Sequence, residues 1–330
     1  MRAVRSTGDG AVAVIDVAPT TPEHARDPVR VRVRSAGICG SDLHLVQWAL
    51  PATLGHEFAG VLDDGTPVAV QPLPACGECD LCRAGREHLC RHGNDRLHGL
   101  SVDGGLADEV VVDRACVVPL PDGAGVSDGA LVEPLAVAVH AAHAGGMHSG
   151  AHGGGGEADA DAGWDGAPVL VIGGGSIGLA VLAVARAHGA EIDVAVRHRA
   201  QQEAADRLGG RVAPGLDYEL VVDCAGTQSS VDEALARVRP GGTVVLAGTF
   251  WEPVRFDTTL STKEVRLVTS QTYGHHHGVR EFDEAAAVLA TRPEIADALV
   301  THRFGLDDAA EAFRVAADRA AGAIKVVVEP

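Results

Sequence analysis

The chain of 330 residues is long enough for two domains, each with its own core. It carries 45 acidic against 27 basic residues, a formal net charge of −18, which opposes binding to nucleic-acid phosphates or anionic lipid. Aromatic residues are only 3% against 46% hydrophobic, so the core is aliphatic, which points away from aromatic stacking platforms for nucleic acid or sugar rings. No apolar run approaches the roughly 20 residues of a bilayer span. Asp16 interrupts the apolar stretch 11–18, so no signal peptide is expected and a cytoplasmic location is.

Up to residue 140, short β-rich runs at 29–33, 58–62, 68–70 and 109–112 are separated by Gly and Pro, and predict an all-β unit. Residues 144–166, rich in Gly, His and Asp, read as a flexible surface loop rather than a metal site, because they lack apolar anchors. From Pro168 strands at 169–172, 192–196, 220–223, 243–247 and 265–269 alternate with helices at 177–187 and 231–238. Uninterrupted Val/Ile/Leu strands between helices predict a parallel sheet covered on both faces. Helices at 280–290 and 307–317 and a strand at 324–328 close the chain. The expectation is an α/β protein: a β-rich domain from residues 1–140 and 274–330 around a doubly wound domain, 141–273.

Four of the seven cysteines, Cys76, Cys79, Cys82 and Cys90, follow C-x2-C-x2-C-x7-C in a Gly-rich, charged loop. Such thiolates converge on one tetrahedral zinc of the closed, structural kind. An iron–sulfur cluster is the rival, but that run places its fourth Cys sooner and follows it with Pro, whereas Arg91 follows Cys90. Cys116 and Cys224 read as small buried hydrophobes.

Gly173-Gly174-Gly175-Ser176-Ile177-Gly178 stands between an apolar strand and a helix, the dinucleotide fingerprint. Gly173 allows the turn, Gly175 admits the pyrophosphate, and Gly178 permits close packing. Ser176 and Ile177 open the helix whose N-terminus holds phosphate. About 20 residues on, where an NAD enzyme carries Asp or Glu, this chain has Val196-Arg197-His198-Arg199. Arg197 and Arg199 suit a 2′-phosphate, so NADP(H) is expected over NAD(H). Ala225, Gly248 and Thr249 end later strands of the same sheet and are expected to touch the cofactor.

Cys39 lies in Gly37-Ile38-Cys39-Gly40-Ser41-Asp42-Leu43-His44, His56 in Gly55-His56-Glu57-Phe58-Ala59-Gly60, and Glu133 in Val132-Glu133-Pro134-Leu135-Ala136. Each is weak alone, since a lone Cys or His is ordinarily a packed residue. Together, in this order before a dinucleotide fold, they resemble the zinc-dependent medium-chain dehydrogenase/reductase family, and its polyol dehydrogenase branch in particular. The resemblance spans nearly the whole chain. It implies a GroES-like β-rich catalytic domain with a Rossmann domain, and hydride transfer between NADP(H) or NAD(H) and a secondary alcohol, polyol or carbonyl. It makes Cys39, His56 and Glu133 the ligands of a catalytic zinc that keeps one position open, so that two zinc ions are held per chain. It makes Glu57 a residue that joins the shell during ligand exchange, and Asp42 the carboxylate that orients the zinc histidine. Ser41 and His44 match a proton relay. Lys325 matches a basic side chain that reaches the pyrophosphate. Pro134 suits a break between two helical segments that frees Glu133. The strand at 265–269 resembles one that pairs across a dimer, so a homodimer or homotetramer is expected.

Two rivals remain: a zinc-independent NADPH-dependent alkene or quinone reductase of the same superfamily, and a non-enzymatic zinc- and NADPH-binding protein. The Cys39–His56 spacing and the segment 61–70 are shorter than the family's, which leaves the substrate pocket open, with Trp48, Leu50 and Leu97 as candidate lining. His275-His276-His277 reads as a solvated turn.

Overall fold

The computed structural model describes residues 1–147, 168–212 and 215–330; beyond Met147, the expected loop at 144–166 lies outside the described residues. The chain opens on a hairpin, β1 (Arg2–Ser6) and β2 (Val12–Asp16), that the sequence reading did not anticipate. Next come β3 (Pro28–Ile38), α1 (Asp42–Leu45), β4 (Glu57–Val61), β5 (Pro67–Val70), α2 (Asp80–Arg83), β6 (Glu109–Asp113) and β7 (Val117–Pro119). They are followed by α3 (Val132–Ala144), β8 (Val169–Ile172), α4 (Ser176–Ala187), β9 (Ile192–Ala195), α5 (Arg199–Arg207), β10 (Tyr218–Asp223) and α6 (Gln228–Arg237). Then β11 (Val238–Leu246), α7 (Thr259–Thr262), β12 (Arg266–Thr269), β13 (His275–His276) and β14 (Val279–Arg280) lead to the closing elements. These are α8 (Glu281–Thr291), α9 (Glu294–Leu299), β15 (Val300–Gly305), α10 (Ala309–Ala317) and β16 (Lys325–Glu329). Two compact units result: Met1–Pro134 with Gly274–Pro330, and Leu135–Tyr273.

In the first unit β3 is the hub. Its Val-Arg alternation has the two-residue period of a strand with one buried face: Val31 and Val33 point inward while Arg30, Arg32 and Arg34 do not. β3 pairs antiparallel with β4, β6 and β16. The seven-stranded sheet runs β15-β16-β3-β4-β5-β7, with β6 on β3. Its core joins Val31, Val33, Phe58, Val68, Val110 and Val326, and Phe313 of α10 packs into the same cluster. Burying aliphatic side chains of this size stabilises by roughly 1.5–3 kcal/mol each.

The second unit is a five-stranded sheet, β12-β11-β10-β8-β9, parallel throughout. All four residues of β8 are buried, as a central strand covered on both faces requires. Beyond β9, among the described residues, lies an isolated bridge, Asp193↔Arg211. Lys263 closes α6 by donating to the carbonyls of Leu235, Ala236 and Val238 at 2.8, 3.0 and 2.8 Å, a positive charge where the helix dipole is negative. No helix among the described residues is long and apolar enough to cross a membrane.

Candidate active site and metal centres

β3 ends at Ile38 and β4 begins at Glu57, so their antiparallel register, with Gly37 opposite Glu57, brings Cys39 and His56 together. A Cβ on Gly37 would stand 2.1 Å from Glu57 Oε2, so this crossing requires glycine. The ligand atoms of Cys39, His56 and Glu57 lie within 4.8 Å of one another. Asp42, fully buried, accepts the Cys39 N–H at 2.9 Å and sets its other oxygen 3.4 Å from His56 Nδ1. Nε2 then faces Ser41 Oγ at 3.4 Å. A histidine held through one nitrogen by a carboxylate presents the other to a metal. His44 stands exposed on α1, its N–H bonded to the Ser41 carbonyl at 3.0 Å.

The charges agree with a cation at this point. Burial works against a charged His56, but Asp42 and Cys39 outweigh it and hold the imidazolium well above its ordinary value. Surroundings that retain a proton so firmly suit a divalent ion, and a soft thiolate beside an imidazole suits zinc.

For the third ligand, a carboxylate, two residues compete. Glu133, at the start of α3, is 7% exposed but stands outside the cluster, and Glu57 is inside it. Nor does Pro134 break a helix: a 3₁₀ turn at Gly129–Leu131 runs directly into α3, and Pro134 occupies that helix's first turn. There the missing N–H costs nothing. Lys325 also departs from its expected place. Its ammonium, 1% exposed, donates to the Glu57 oxygens at 2.7 and 2.6 Å and to the Ile38 carbonyl at 3.2 Å. All three donors are used, which leaves none for a pyrophosphate. Burial alone would depress Lys325, but Glu57 and then Cys39 raise it above its ordinary value.

Cys76, Cys79, Cys82 and Cys90 form a second cluster, also with all ligand atoms within 4.8 Å of one another. Sγ of Cys76 and of Cys79 lie 3.8 and 3.4 Å from Cys82 Sγ. Backbone N–H groups aim at the sulfurs, Cys79 to Cys76 at 3.3 Å, Cys82 to Cys79 at 3.4 Å and Cys76 to Cys90 at 3.3 Å. The N–H groups of Arg91 and Cys82 lower Cys79 to about 6, whereas burial pushes Cys82 up to about 12. A loop that solvates sulfur charge with amides while crowding four sulfurs fits one closed tetrahedral zinc.

In the second unit the fingerprint turn fits a pyrophosphate. Gly173 has φ +105°, and a Cβ on Gly178 would meet the Gly173 carbonyl at 1.8 Å, so both need glycine. At Gly175 nothing lies within 4 Å of an added Cβ, which leaves room above the start of α4, with Ser176 and Ile177 as its first residues. Gly226 and Gly248 approach so closely that a Cβ on either would come within 2.5 Å of the other loop's backbone, at Thr249 and Gly226 respectively. Asp223, at the end of β10, holds the Ala225 turn by accepting the N–H groups of Ala225 and Gly226 at 2.9 and 3.2 Å. Sequence reasoning missed Asp223; its signal was a carboxylate ending an apolar strand. Arg197 donates to Ser229 Oγ at 2.9 Å, while Arg199 bonds Glu203 at 2.7 Å within its own helix.

Of the remaining candidates, Trp48 is 57% exposed and Leu50 packs on the sheet core. Cys116 is buried and Cys224 half-buried. The histidine run is not simply solvated: His275 pairs with Arg280 in the small β13–β14 ladder and makes an ion pair with Glu87.

Residues 25–122 match the family model of the alcohol dehydrogenase GroES-like domain, and residues 127–329 that of the glucose dehydrogenase C-terminus. The chain is 30% identical to a sorbitol dehydrogenase of Arabidopsis thaliana, over 91% of this chain and 87% of that protein. It is 28% identical to galactitol 1-phosphate 5-dehydrogenase of Escherichia coli (strain K12), over 95% and 96%. A solved chain from Sinorhizobium meliloti 1021, described as a zinc-binding dehydrogenase bound to NADP, superposes with a TM-score of 0.83 at 28% identity, covering 100% of this chain and 99% of that one.

Proposed function

Because this chain belongs to the zinc-type medium-chain alcohol and polyol dehydrogenase family, we propose that it interconverts a polyol-like secondary alcohol and its carbonyl, preferring NADP(H) to NAD(H). The observation that carries the reading is the cluster at Cys39 and His56, with Asp42 behind one imidazole nitrogen and Ser41 beside the other. When bound, zinc supplies the Lewis acidity that makes a hydroxyl acidic near neutral pH, and the nicotinamide exchanges hydride. Asp42 keeps the His56 tautomer that leaves Nε2 free. Ser41 Oγ accepts the substrate hydroxyl's proton as its own hydroxyl proton is passed on toward exposed His44, which releases a proton to water.

Charge balance favours Glu133 as the third ligand: Cys39 and Glu133 neutralise a divalent ion, while Glu57 is already neutralised by Lys325. Zinc content distinguishes the two carboxylates. Glu133→Gln is expected to lose one zinc per chain and Glu57→Gln to keep it; the reverse pattern makes Glu57 the ligand.

The preference for NADP(H) rests on the absence of a carboxylate after β9 and on Arg197, fixed by Ser229. The polyol class rests on the sorbitol and galactitol 1-phosphate dehydrogenase relatives. Steady-state rates on a panel of polyols, sugars and simple alcohols with both cofactors test the two together. Polyol oxidation is expected to be fastest with NADP⁺, and Arg197→Asp to shift the preference toward NAD⁺. Higher kcat/KM with NAD⁺ overturns the cofactor assignment, and activity unchanged after zinc removal favours the alkene reductase. β12 lies at the sheet edge among the described residues, and all seven cysteines are unbridged. These support a homo-oligomer paired through that edge and a reducing compartment.

A further inference from the structure

β3 separates two regions of the first unit. Cys39 follows its last residue, whereas His24 and Arg26 precede its first, roughly 30 Å of strand away. At that far end lies a cavity of about 320 Å³, walled by Cys76 and its neighbours on one side and by Ala115, His275 and Arg280 on the other. This volume is near the lower bound of the roughly 300–1,000 Å³ usual for small-ligand sites.

The lining is rich in cations, and most of its charges are already matched. Arg280 bonds Asp283 and the Ala115 carbonyl, and Arg26 bonds Glu78 and the Cys76 carbonyl. Of the two lining carboxylates, Glu87 pairs with His275, and Asp113 accepts the N–H groups of Arg26 and Ala115. Two groups are left over. Arg96 is half-buried, and among the described residues its guanidinium has no hydrogen bond or ion pair. His24 Nε2 is shielded from solvent and has no hydrogen-bond partner among the described residues. A half-buried guanidinium without a counter-ion among the described residues, beside an imidazole nitrogen that is shielded and lacks a hydrogen-bond partner, offers donors to a hydrogen-bonding anion.

We propose that this cavity binds a tetrahedral oxyanion, inorganic phosphate or the phosphoryl group of a small metabolite, with Arg96 as its principal ligand and His24 as the second. The site is separate from the alcohol and cofactor sites. Its occupant ties the cysteine-rich loop to the β3–β6 end of the sheet, so binding stiffens that loop.

Calorimetric titration of the zinc-loaded full chain, with nicotinamide cofactor at saturation to fill the α4 N-terminus, tests the assignment with inorganic phosphate and glycerol phosphate as probes. One anion per chain is expected, with a raised thermal midpoint. Arg96→Gln is expected to weaken binding about tenfold or more. His24→Phe, on a separate segment, weakens it as well and serves if the first variant does not fold. Tighter binding of glycerol phosphate assigns the site to a phosphorylated metabolite, and equal binding to phosphate itself. Unchanged isotherms in the folded variants, or no binding of either anion by the wild type, overturns the proposal.

Discussion

Glu57 and Lys325 are 268 residues apart in sequence and share one buried ion pair, 0% and 1% exposed. Burying such a pair gains little net stability, but removing one partner strands the other charge at a cost of about 3–5 kcal/mol. Lys325→Met is therefore expected to destabilise the first unit by about that amount, and Glu57→Gln combined with Lys325→Met by clearly less. Denaturant unfolding of the four-member cycle measures this. Additive losses would mean that the two side chains do not depend on each other. The pair also marks where sequence reading failed. The resemblance that led Lys325 to the pyrophosphate could not reveal that β16 pairs with β3 and places Lys325 beside Ile38. Gly37 was legible only as part of a motif, because its need for a missing Cβ arises from Glu57 on another strand.

At the scale of elements, local signals were read well and partner-dependent ones were not. The fingerprint was legible because its glycines act within one turn, and they separate into two physical roles. Gly178→Ala pushes a Cβ to 1.8 Å from the Gly173 carbonyl and is expected to destabilise the second unit by at least about 1–3 kcal/mol. Gly175→Ala meets nothing within 4 Å, so stability should change by less than about 1 kcal/mol while cofactor affinity falls about tenfold or more. Fluorescence titration with the reduced cofactor, beside thermal melts, separates the two; equal stability losses would contradict the open space above Gly175. The β1–β2 hairpin and β15 were missed, since their short mixed runs become strands only when neighbours complete the ladder. Asp223 adds a pH test at the β10–α6 junction. Burial, reinforced by Glu233, raises its carboxyl above 3.8 despite the bonds from Ala225, Ser230 and Gly226. A raised folded value favours the protonated fold: no penalty exists below the ordinary carboxylate range, and one grows as pH rises through the folded value. Asp223→Asn keeps the acceptor for Ala225 and Gly226 and removes the charge. Its thermal midpoint relative to wild type should rise from about pH 4 upward and then level off. Parallel pH profiles for the two proteins would exclude a charge penalty at Asp223.

At the scale of the chain, both candidate metal clusters belong to the unit built from Met1–Pro134 and Gly274–Pro330, but they arise differently. The quartet is contained between Cys76 and Cys90, so its geometry is local and its spacing legible. The second cluster depends on β3 pairing with β4, and the place of Glu57 within it follows only from that register, with Gly37 opposite Glu57. This difference predicts how the two respond to loss of a ligand. A closed thiolate shell stabilises its loop, whereas an open site mainly supplies chemistry. Cys90→Ser is expected to lose one of two zinc ions and lower the thermal midpoint, by roughly 2–4 °C for each kcal/mol lost. Cys39→Ser should also lose one zinc, keep its midpoint within a few degrees, and lose alcohol oxidation by about a thousandfold or more. Metal analysis, calorimetric melting and rates on the same three proteins distinguish the sites. One zinc per wild-type chain would remove the division into structural and catalytic centres. A Cys39→Ser variant that melts as early as Cys90→Ser would show that the open site also holds the fold, because its thiolate and imidazole flank the ends of two strands that the metal would then be joining.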